Sequence, residues 1–174
     1  MKNKSKYKKP TREDYISFFD NLISDNTDYV HFSITGIFDR SALEHNKNMY
    51  RNKWWAYQKD IRTFFRIIAR KVSNNRDWGK IYGESEMKVI IIPEIQDVLH
   101  LHGVMSIHKS HLTGINYDTL REWLKQLWDN FFRMGSFDIG LFDNDGWFRY
   151  ITKRLDYGDS IFEEFMILPP FVKK

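Results

Sequence analysis

The order of hydrophobic periods along the chain limits its fold more than any other feature of the sequence. A period of two residues predicts a strand, and a period of three to four residues predicts a helix. Strands are predicted over residues 29–38, 87–92, 99–107 and 137–142, and helices over residues 12–24, 53–73, 117–133 and 147–157. Between residues 29 and 142 the elements therefore follow the order β–α–β–β–α–β, with one extra helix at each end.

That order is the ferredoxin-like split βαβ arrangement, an α+β fold in which an antiparallel sheet carries both crossover helices on one face. We expect the other face to be open. Pro93 is expected to end the strand over residues 87–92. Thr11 and Asp14 have capping-box spacing for the first helix, and either Asn116 or Thr119 can cap the third. No linker divides residues 11–174, which are expected to form one domain.

Residues 1–10 form a basic arm. Six lysine and arginine residues precede the first acidic residue, Glu13, whereas the whole chain of 174 residues carries a formal charge of +4, so the remainder carries −2. A basic arm on a nearly neutral body fits a polyanionic partner such as nucleic acid. A solvated tail is the alternative interpretation. Arg62, Arg66 and Arg70 form a second basic ridge, which either contacts phosphates or is a solvated helix face.

The composition excludes several kinds of chemistry. The chain has no cysteine, which rules out disulfides, thiolate zinc sites, iron–sulfur clusters and thiol nucleophiles. No apolar run approaches the roughly 20 residues of a membrane span, and the basic arm lacks the apolar stretch of a signal peptide. We therefore expect a soluble intracellular protein without a membrane partner, whose metal sites use histidine and carboxylate ligands.

His100 and His102 lie two residues apart on a predicted strand, so both imidazoles leave the same face of the sheet. The neighbouring leucines point to the opposite, helix-covered face, so we expect both histidines on the open face. Glu94 can add a carboxylate, and two imidazoles with one carboxylate suit Mn²⁺ or, less well, Mg²⁺. Gln96 or Asp97 could be the third ligand instead.

Tyr150, Lys153 and Tyr157 recur at helical intervals on the predicted helix over residues 147–157, away from the side that carries Phe148. A tyrosine near a metal ion and an ammonium group can act as a nucleophile once its proton is accepted. The alternative is an ordinary amphipathic helix with a half-exposed tyrosine.

Three segments in this order resemble the motifs of the HUH endonucleases, in particular the single-tyrosine replication initiators of rolling-circle plasmids and single-stranded DNA viruses. HFSITGIF (31–38) resembles the first motif, LHLHGVM (99–105) the histidine motif, and YITK (150–153) the tyrosine motif. The resemblance covers roughly residues 29–157. It implies the same ferredoxin-like fold that the hydrophobic periods predict.

The resemblance implies that His100, His102 and Glu94 bind the metal, that Tyr150 attacks the scissile phosphate, and that Lys153 assists. The implied reaction leaves a 5′-phosphotyrosine and a free 3′-hydroxyl that primes replication. The implied partners are single-stranded or hairpin origin DNA, a separate helicase and a host polymerase, in the cytoplasm of the host cell or in the nucleus of a eukaryotic host.

Two departures from the family pattern are visible. The family glutamate often lies a few residues farther upstream of the histidines than Glu94, and the sequence contains no Gly-x-x-x-x-Gly-Lys-Ser/Thr loop of a helicase domain. The second departure fits a compact initiator that borrows a helicase, or an excised nuclease domain.

Three other functions also fit parts of the sequence. A small HUH transposase is the nearest. A 2H phosphoesterase would use the His–x–Ser/Thr pairs that begin at His31 and His111. A non-enzymatic module would bind single-stranded nucleic acid on the open sheet face, where His31, Ser33 and Thr35 are expected.

Overall fold

A computed structural model of the chain describes residues 10–23, 28–38, 47–72, 86–95, 98–133, 135–142, 146–153 and 165–168. Residues 1–9 of the basic arm lie outside these ranges. The elements in chain order are α1 (Arg12–Ile23), β1 (Tyr29–Ile37), α2 (Lys47–Val72), β2 (Met87–Ile95), β3 (Leu99–His108), a 3₁₀ helix (Lys109–His111), α3 (Tyr117–Phe131), β4 (Ser136–Leu141), α4 (Trp147–Ile151) and β5 (Met166–Leu168).

The predicted α+β fold class is confirmed. The five strands form one antiparallel sheet in the order β4-β1-β3-β2-β5, and β1 to β4 with α2 and α3 follow the β–α–β–β–α–β sequence. β5 was not predicted. It has three residues, which is too short for a hydrophobic period, and it pairs with residues 89–91 of β2.

The main core lies between one face of the sheet and the helices α2 and α3. Alternate residues of the strands point into it, and the apolar stripes of both helices meet them. Trp128 of α3 is fully buried there, and its indole Nε1 donates to the carbonyl of Ile37 at 3.2 Å. Asn116 caps α3 by accepting from the N–H of Thr119 at 3.1 Å, which selects Asn116 from the two predicted caps.

The opposite face of the sheet is partly covered, in contrast to the expected open face. A second apolar cluster joins strand residues of β2 and β3 to α1 and α4; its buried members are Ile16, Phe19, Ile23, Ile90, Ile92, Val104, Phe148 and Ile151. The physical reason lies in β2, whose apolar residues point to both faces. A strand of that kind is stable only when both faces are shielded from water.

The capping box of α1 forms as predicted. The N–H of Thr11 donates to a carboxylate oxygen of Asp14 at 2.7 Å, and the N–H of Asp14 donates to the Thr11 hydroxyl at 3.2 Å. The first residue of α1, Arg12, then reaches the end of α4, where its guanidinium donates to the carbonyl of Arg149 and, at 3.3 Å, to the hydroxyl of Thr152. These bonds fix the two helices to each other.

The prediction that Pro93 ends the second strand is wrong. β2 continues to Ile95, and Pro93 pairs with Leu101 of β3. On its other side β2 pairs with β5 along residues 89–91, so Pro93 lies beyond that pairing at the sheet edge. A proline is tolerated at an edge because no ladder hydrogen bond needs its missing N–H there.

Two helix boundaries differ from the prediction by more than two residues. α2 begins at Lys47 instead of residue 53, and it places Arg66 and Arg70 on the exposed side of the helix layer, across the sheet from α4. α4 ends at Ile151, and residues 152–153 form a turn and a 3₁₀ position in place of further α-helix. Tyr157 lies outside the described residues. None of the described helices is long and apolar enough to cross a membrane.

Gly103 on β3 lies close to the backbone of β2, where no side chain fits. A Cβ atom at this position would lie 2.1 Å from the carbonyl oxygen of Ile90, which belongs to a buried backbone that cannot move away. We expect Gly103→Ala to lower the free energy of unfolding by about 3 kcal/mol or more, measured by urea denaturation. Gly140→Ala is the matched control, because its Cβ would meet only the Ser33 hydroxyl at 3.1 Å. Equal losses of unfolding free energy in Gly103→Ala and Gly140→Ala would contradict the close approach of Gly103 to Ile90.

Candidate active site

The strand register brings four polar side chains together on the face that carries α4. Glu94 of β2 pairs with His100 of β3, and His102 of β3 pairs with Thr35 of β1. Alternate residues of a strand share a face, so His100 and His102 point to the same side, as predicted. Because β2 continues past Pro93, Glu94 has a fixed direction within the sheet. Gln96 and Asp97, the alternative ligands, lie outside the described residues.

Glu94 and His102 form a buried pair. Glu94 Oε2 and His102 Nε2 are 2.8 Å apart, and the residues are 4% and 7% exposed. The other ring nitrogen of His102, Nδ1, lies 3.3 Å from the hydroxyl of Thr35. The expectation that His102 projects from an open face is therefore wrong, because the rings of α4 cover it. A buried carboxylate needs such partners, since burial without them costs several kcal/mol.

Tyr150 and Trp147 of α4 lie against the ring of His102. The phenol ring of Tyr150 meets the imidazole edge to face at 5.5 Å between centroids, and the indole of Trp147 does so at 6.0 Å. Tyr150 is 46% exposed, whereas Phe148 and Ile151 on the other side of α4 are buried. The helical phase predicted from the sequence is therefore present over α4. An exposed phenol here rests on a buried imidazole–carboxylate pair.

Lys153 connects the carboxylate to the phenol. Its ammonium nitrogen lies 3.8 Å from Glu94 Oε1 and 3.8 Å from the centroid of the Tyr150 ring. The first distance is too long for a hydrogen bond but short enough for a strong charge interaction with a buried carboxylate. The second is a cation–π contact. Lys153 is thus the cation nearest to both groups among the described contacts.

His100 completes the set of predicted metal ligands. Its ring centroid is 5.7 Å from that of His102, at the position opposite Glu94. Within the described residues, no group of three or more histidine, aspartate and glutamate side chains is arranged to hold a metal ion. Glu94 and His102, two of the three predicted ligands, are in contact with each other. A carboxylate and an imidazole suit Mn²⁺ or Mg²⁺. A cation bound by both would replace the present contact between Glu94 and His102.

The two His–x–Ser/Thr pairs lie in different places. His31 on β1 approaches the hydroxyl of Ser106 through Nδ1 at 2.8 Å, whereas His111 in the 3₁₀ helix pairs with Glu86 at 2.7 Å. Each histidine is thus engaged with its own partner. Burial lowers the pKa of His31 from its ordinary value, and the nearby charge of Lys88 lowers this pKa further.

Trp147 is the site residue that the sequence patterns did not identify. Its signal in the sequence was its position three residues before Tyr150, which places both rings on one side of a helix. The helical pattern indicated the titratable side chains Tyr150, Lys153 and Tyr157, and an indole does not titrate.

Comparisons of the chain with protein families, with curated proteins and with solved structures found no match.

The lowered pKa of His31 predicts a pH effect on stability. The unfolded chain takes up a proton near the ordinary pKa of 6.5, whereas the folded protein takes it up only at lower pH. The contribution of His31 is therefore fully present above 6.5 and is lost as the pH falls through the folded pKa. Replacing His31 by Asn, which keeps a polar group near Ser106, should reduce the loss of unfolding free energy between about pH 7.5 and about pH 5. Urea denaturation of both proteins measures the difference, and identical pH profiles would contradict the prediction.

Proposed function

We propose that the protein is a metal-dependent endonuclease that nicks and rejoins single-stranded DNA through a covalent tyrosine intermediate. The observation that carries the proposal is the arrangement of Tyr150, whose exposed phenol rests on the buried Glu94–His102 pair beside the ammonium of Lys153. The resemblance of the motifs around His31, His102 and Tyr150 to those of HUH replication initiators supports the same reaction.

Tyr150 is the proposed nucleophile. Its phenolic oxygen forms a bond to the phosphorus of the scissile phosphate, and the bond from phosphorus to the 3′ oxygen breaks. The phenol proton passes to solvent, and the 3′ oxygen takes up a proton to become a hydroxyl. The products are a 5′-phosphotyrosine and a free 3′-hydroxyl, and reversal of the same step rejoins the strand. Lys153 stabilises the negative charge that develops as the phenol loses its proton.

Glu94, His102 and His100 are the proposed ligands of Mn²⁺ or Mg²⁺. The bound cation would withdraw electron density from a nonbridging oxygen of the scissile phosphate. Thr35 suits this role, because its hydroxyl can accept from Nδ1 of His102 once a cation takes the place of the proton that Nε2 donates to Glu94 in the present contact. The imidazole is then held in the tautomer that a metal requires.

The biological role that we propose is the initiation of rolling-circle DNA replication. The basic arm would hold the backbone of single-stranded or hairpin origin DNA through phosphate contacts. A separate helicase and a host polymerase would act on the nicked strand, in the host cytoplasm or in the nucleus of a eukaryotic host. A small HUH transposase would use the same chemistry for strand transfer.

A non-catalytic single-strand-binding module is the second candidate. It is favoured by the exposed ring of Tyr150, because exposed aromatic rings stack on bases of any sequence. The buried Glu94–His102 pair has no role in such a module. The two functions differ in metal dependence, since base stacking continues in EDTA whereas the nuclease reaction stops.

Replacing Tyr150 by Phe tests the nuclease reaction. We expect the variant to lose both cleavage and adduct formation while it keeps metal and DNA binding, because the ring remains and the nucleophilic oxygen is gone. Labelled single-stranded DNA is incubated with protein and Mn²⁺ and resolved on a denaturing gel. Tyr117→Phe is the matched control, since it removes a phenol hydroxyl from α3, which packs on the other face of the sheet.

Peptide mapping of the trapped adduct identifies the nucleophile. A nucleotide on Tyr157, or an adduct formed by the Tyr150→Phe variant, would overturn the assignment of Tyr150. Cleavage without any adduct would point to water as the nucleophile. Retained DNA binding in EDTA without cleavage under any metal condition would favour the binding module.

Thr35→Val tests how His102 is held for the metal. The variant keeps the shape of the side chain and removes the hydroxyl near Nδ1, so we expect Mn²⁺ to bind about 10-fold more weakly. Isothermal titration calorimetry gives the affinity, and His102→Ala should abolish binding. Ser33→Ala is the control, two residues earlier on the same face of β1, where the hydroxyl donates to Gly140 instead. Unchanged Mn²⁺ affinity in His102→Ala would overturn the proposed metal site.

A further inference from the structure

We propose that Trp147 is a positioning residue, which holds the phenol of Tyr150 over His102 for attack. This inference rests on the proposed function and adds a residue to it. It requires that the indole be fixed to the sheet, that it contact the phenol directly, and that α4 be too short to hold Tyr150 in place by its own helical structure. The structure meets each of these conditions in turn.

The indole of Trp147 is anchored to the strand that carries the histidines. Its Nε1 donates to the carbonyl of Gly103 at 3.1 Å, one residue after His102. The backbone of Gly103 lies so close to Ile90 that even a methyl group does not fit between them. The anchor point is therefore tightly packed and moves little relative to His102.

The same indole contacts both rings of the site. It stacks on the phenol of Tyr150 with 5.5 Å between centroids and an interplanar angle of 23°, and it meets the imidazole of His102 at 83°. Lys153 contacts the phenol from the other direction along the chain, three residues after Tyr150. The nucleophilic ring is thus held between an indole one turn before it and an ammonium group three residues after it.

The helix itself provides little restraint. α4 has five residues, and its N-cap, Gly146, has a φ of +107° and makes no side-chain cap bond. A helix of this length is unstable without tertiary contacts. Phe148 and Ile151 hold its buried side in the apolar cluster, but Tyr150 lies on the exposed side. Trp147, the first residue of α4, adds a hydrogen bond from the helix to the backbone of β3.

Loss of the indole should therefore slow attack more than it weakens binding. A displacement of about 1 Å at a reacting group can cost on the order of a hundredfold in rate. We expect Trp147→Ala to reduce the single-turnover rate of adduct formation at saturating DNA by about 10- to 100-fold. The DNA concentration for half-saturation and the Mn²⁺ affinity should change less than about threefold. Trp147→Phe keeps a ring but loses the bond to Gly103, so its rate should fall between those of the wild type and Trp147→Ala.

The matched control is Trp55→Ala. Trp55 is 55% exposed on α2, a helix of the opposite sheet face, so this variant loses an indole away from the site and should keep the wild-type rate. A second readout does not depend on activity. In protein with ¹³C-labelled tyrosine, the Tyr150 ring signal is identified by its loss in Tyr150→Phe. In Trp147→Ala it should move toward the value of an unstructured tyrosine, because the ring current of the indole is gone, while the other tyrosine signals stay in place.

The outcomes separate the inference from the proposed function. Slower adduct formation with a displaced Tyr150 signal and unchanged binding supports the positioning role. A wild-type rate and an unmoved signal in Trp147→Ala overturn that role while the nuclease function stands. Weakened DNA binding at an unchanged saturated rate also overturns it, and assigns the indole to base stacking. Failure of the wild-type protein to form any adduct overturns the proposed function, and the positioning role with it.

Discussion

The two-sided burial of β2 is the constraint on which the rest of the structure depends. Val89 and Ile91 face the core under α2 and α3, while Ile90 and Ile92 face the opposite side. The hydrophobic effect therefore requires a cover on the second face, and α1 and α4 supply it. Because α4 is drawn onto that face by Phe148 and Ile151, its exposed side carries Tyr150 over His102. The same apolar requirement that stabilises the sheet thus assembles the candidate site.

The site combines a buried imidazole–carboxylate pair with an exposed phenol. Glu94 and His102 are shielded from water, where a charge interaction is stronger than at the surface, while Tyr150 remains accessible to a large substrate. Lys153 lies between the two environments and contacts both groups. A polymer such as DNA cannot enter a closed cavity, so the proposed nuclease reaction needs its nucleophile on the outside and its charge-stabilising groups underneath. The arrangement meets that requirement with residues from β2, β3 and the segment around α4.

The fold could be predicted from the sequence because most of its elements are long enough to show a hydrophobic period. The apolar stripe of α3 predicted a helix and its buried side. The alternation of apolar and polar residues in β1 and around His100 predicted two strands and the side chains that share each face. β5 has three residues and shows no hydrophobic period. The contacts of Arg12 with the end of α4 join residues far apart along the chain, so no local pattern contains them. The strand run through Ile90 and Ile92 did carry a signal of burial on both faces, and that signal explains why the expected open face is partly closed.

The candidate site could be predicted less well than the fold, because its residues lie far apart along the chain. Spacing places His100 and His102 on one face, but only the register of β2 against β3 sets Glu94 opposite His100 and beside His102. The rings that lie against His102 belong to Trp147 and Tyr150, about 45 residues away along the chain. The roles of the five predicted site residues stay predictions, and the structure adds the contacts through which each can be tested.

β2 is also protected against pairing with strands of other protein molecules. An uncovered strand edge offers a row of backbone donors and acceptors, and edge-to-edge pairing of this kind leads to aggregation. β5 occupies the outer edge of β2 along residues 89–91, and Pro93, two residues farther on, carries no backbone N–H to offer. The proline thereby makes pairing with a strand of another molecule less favourable at the strand that carries Glu94. Replacing it would give β2 one more backbone N–H, two residues beyond the described pairing with β5.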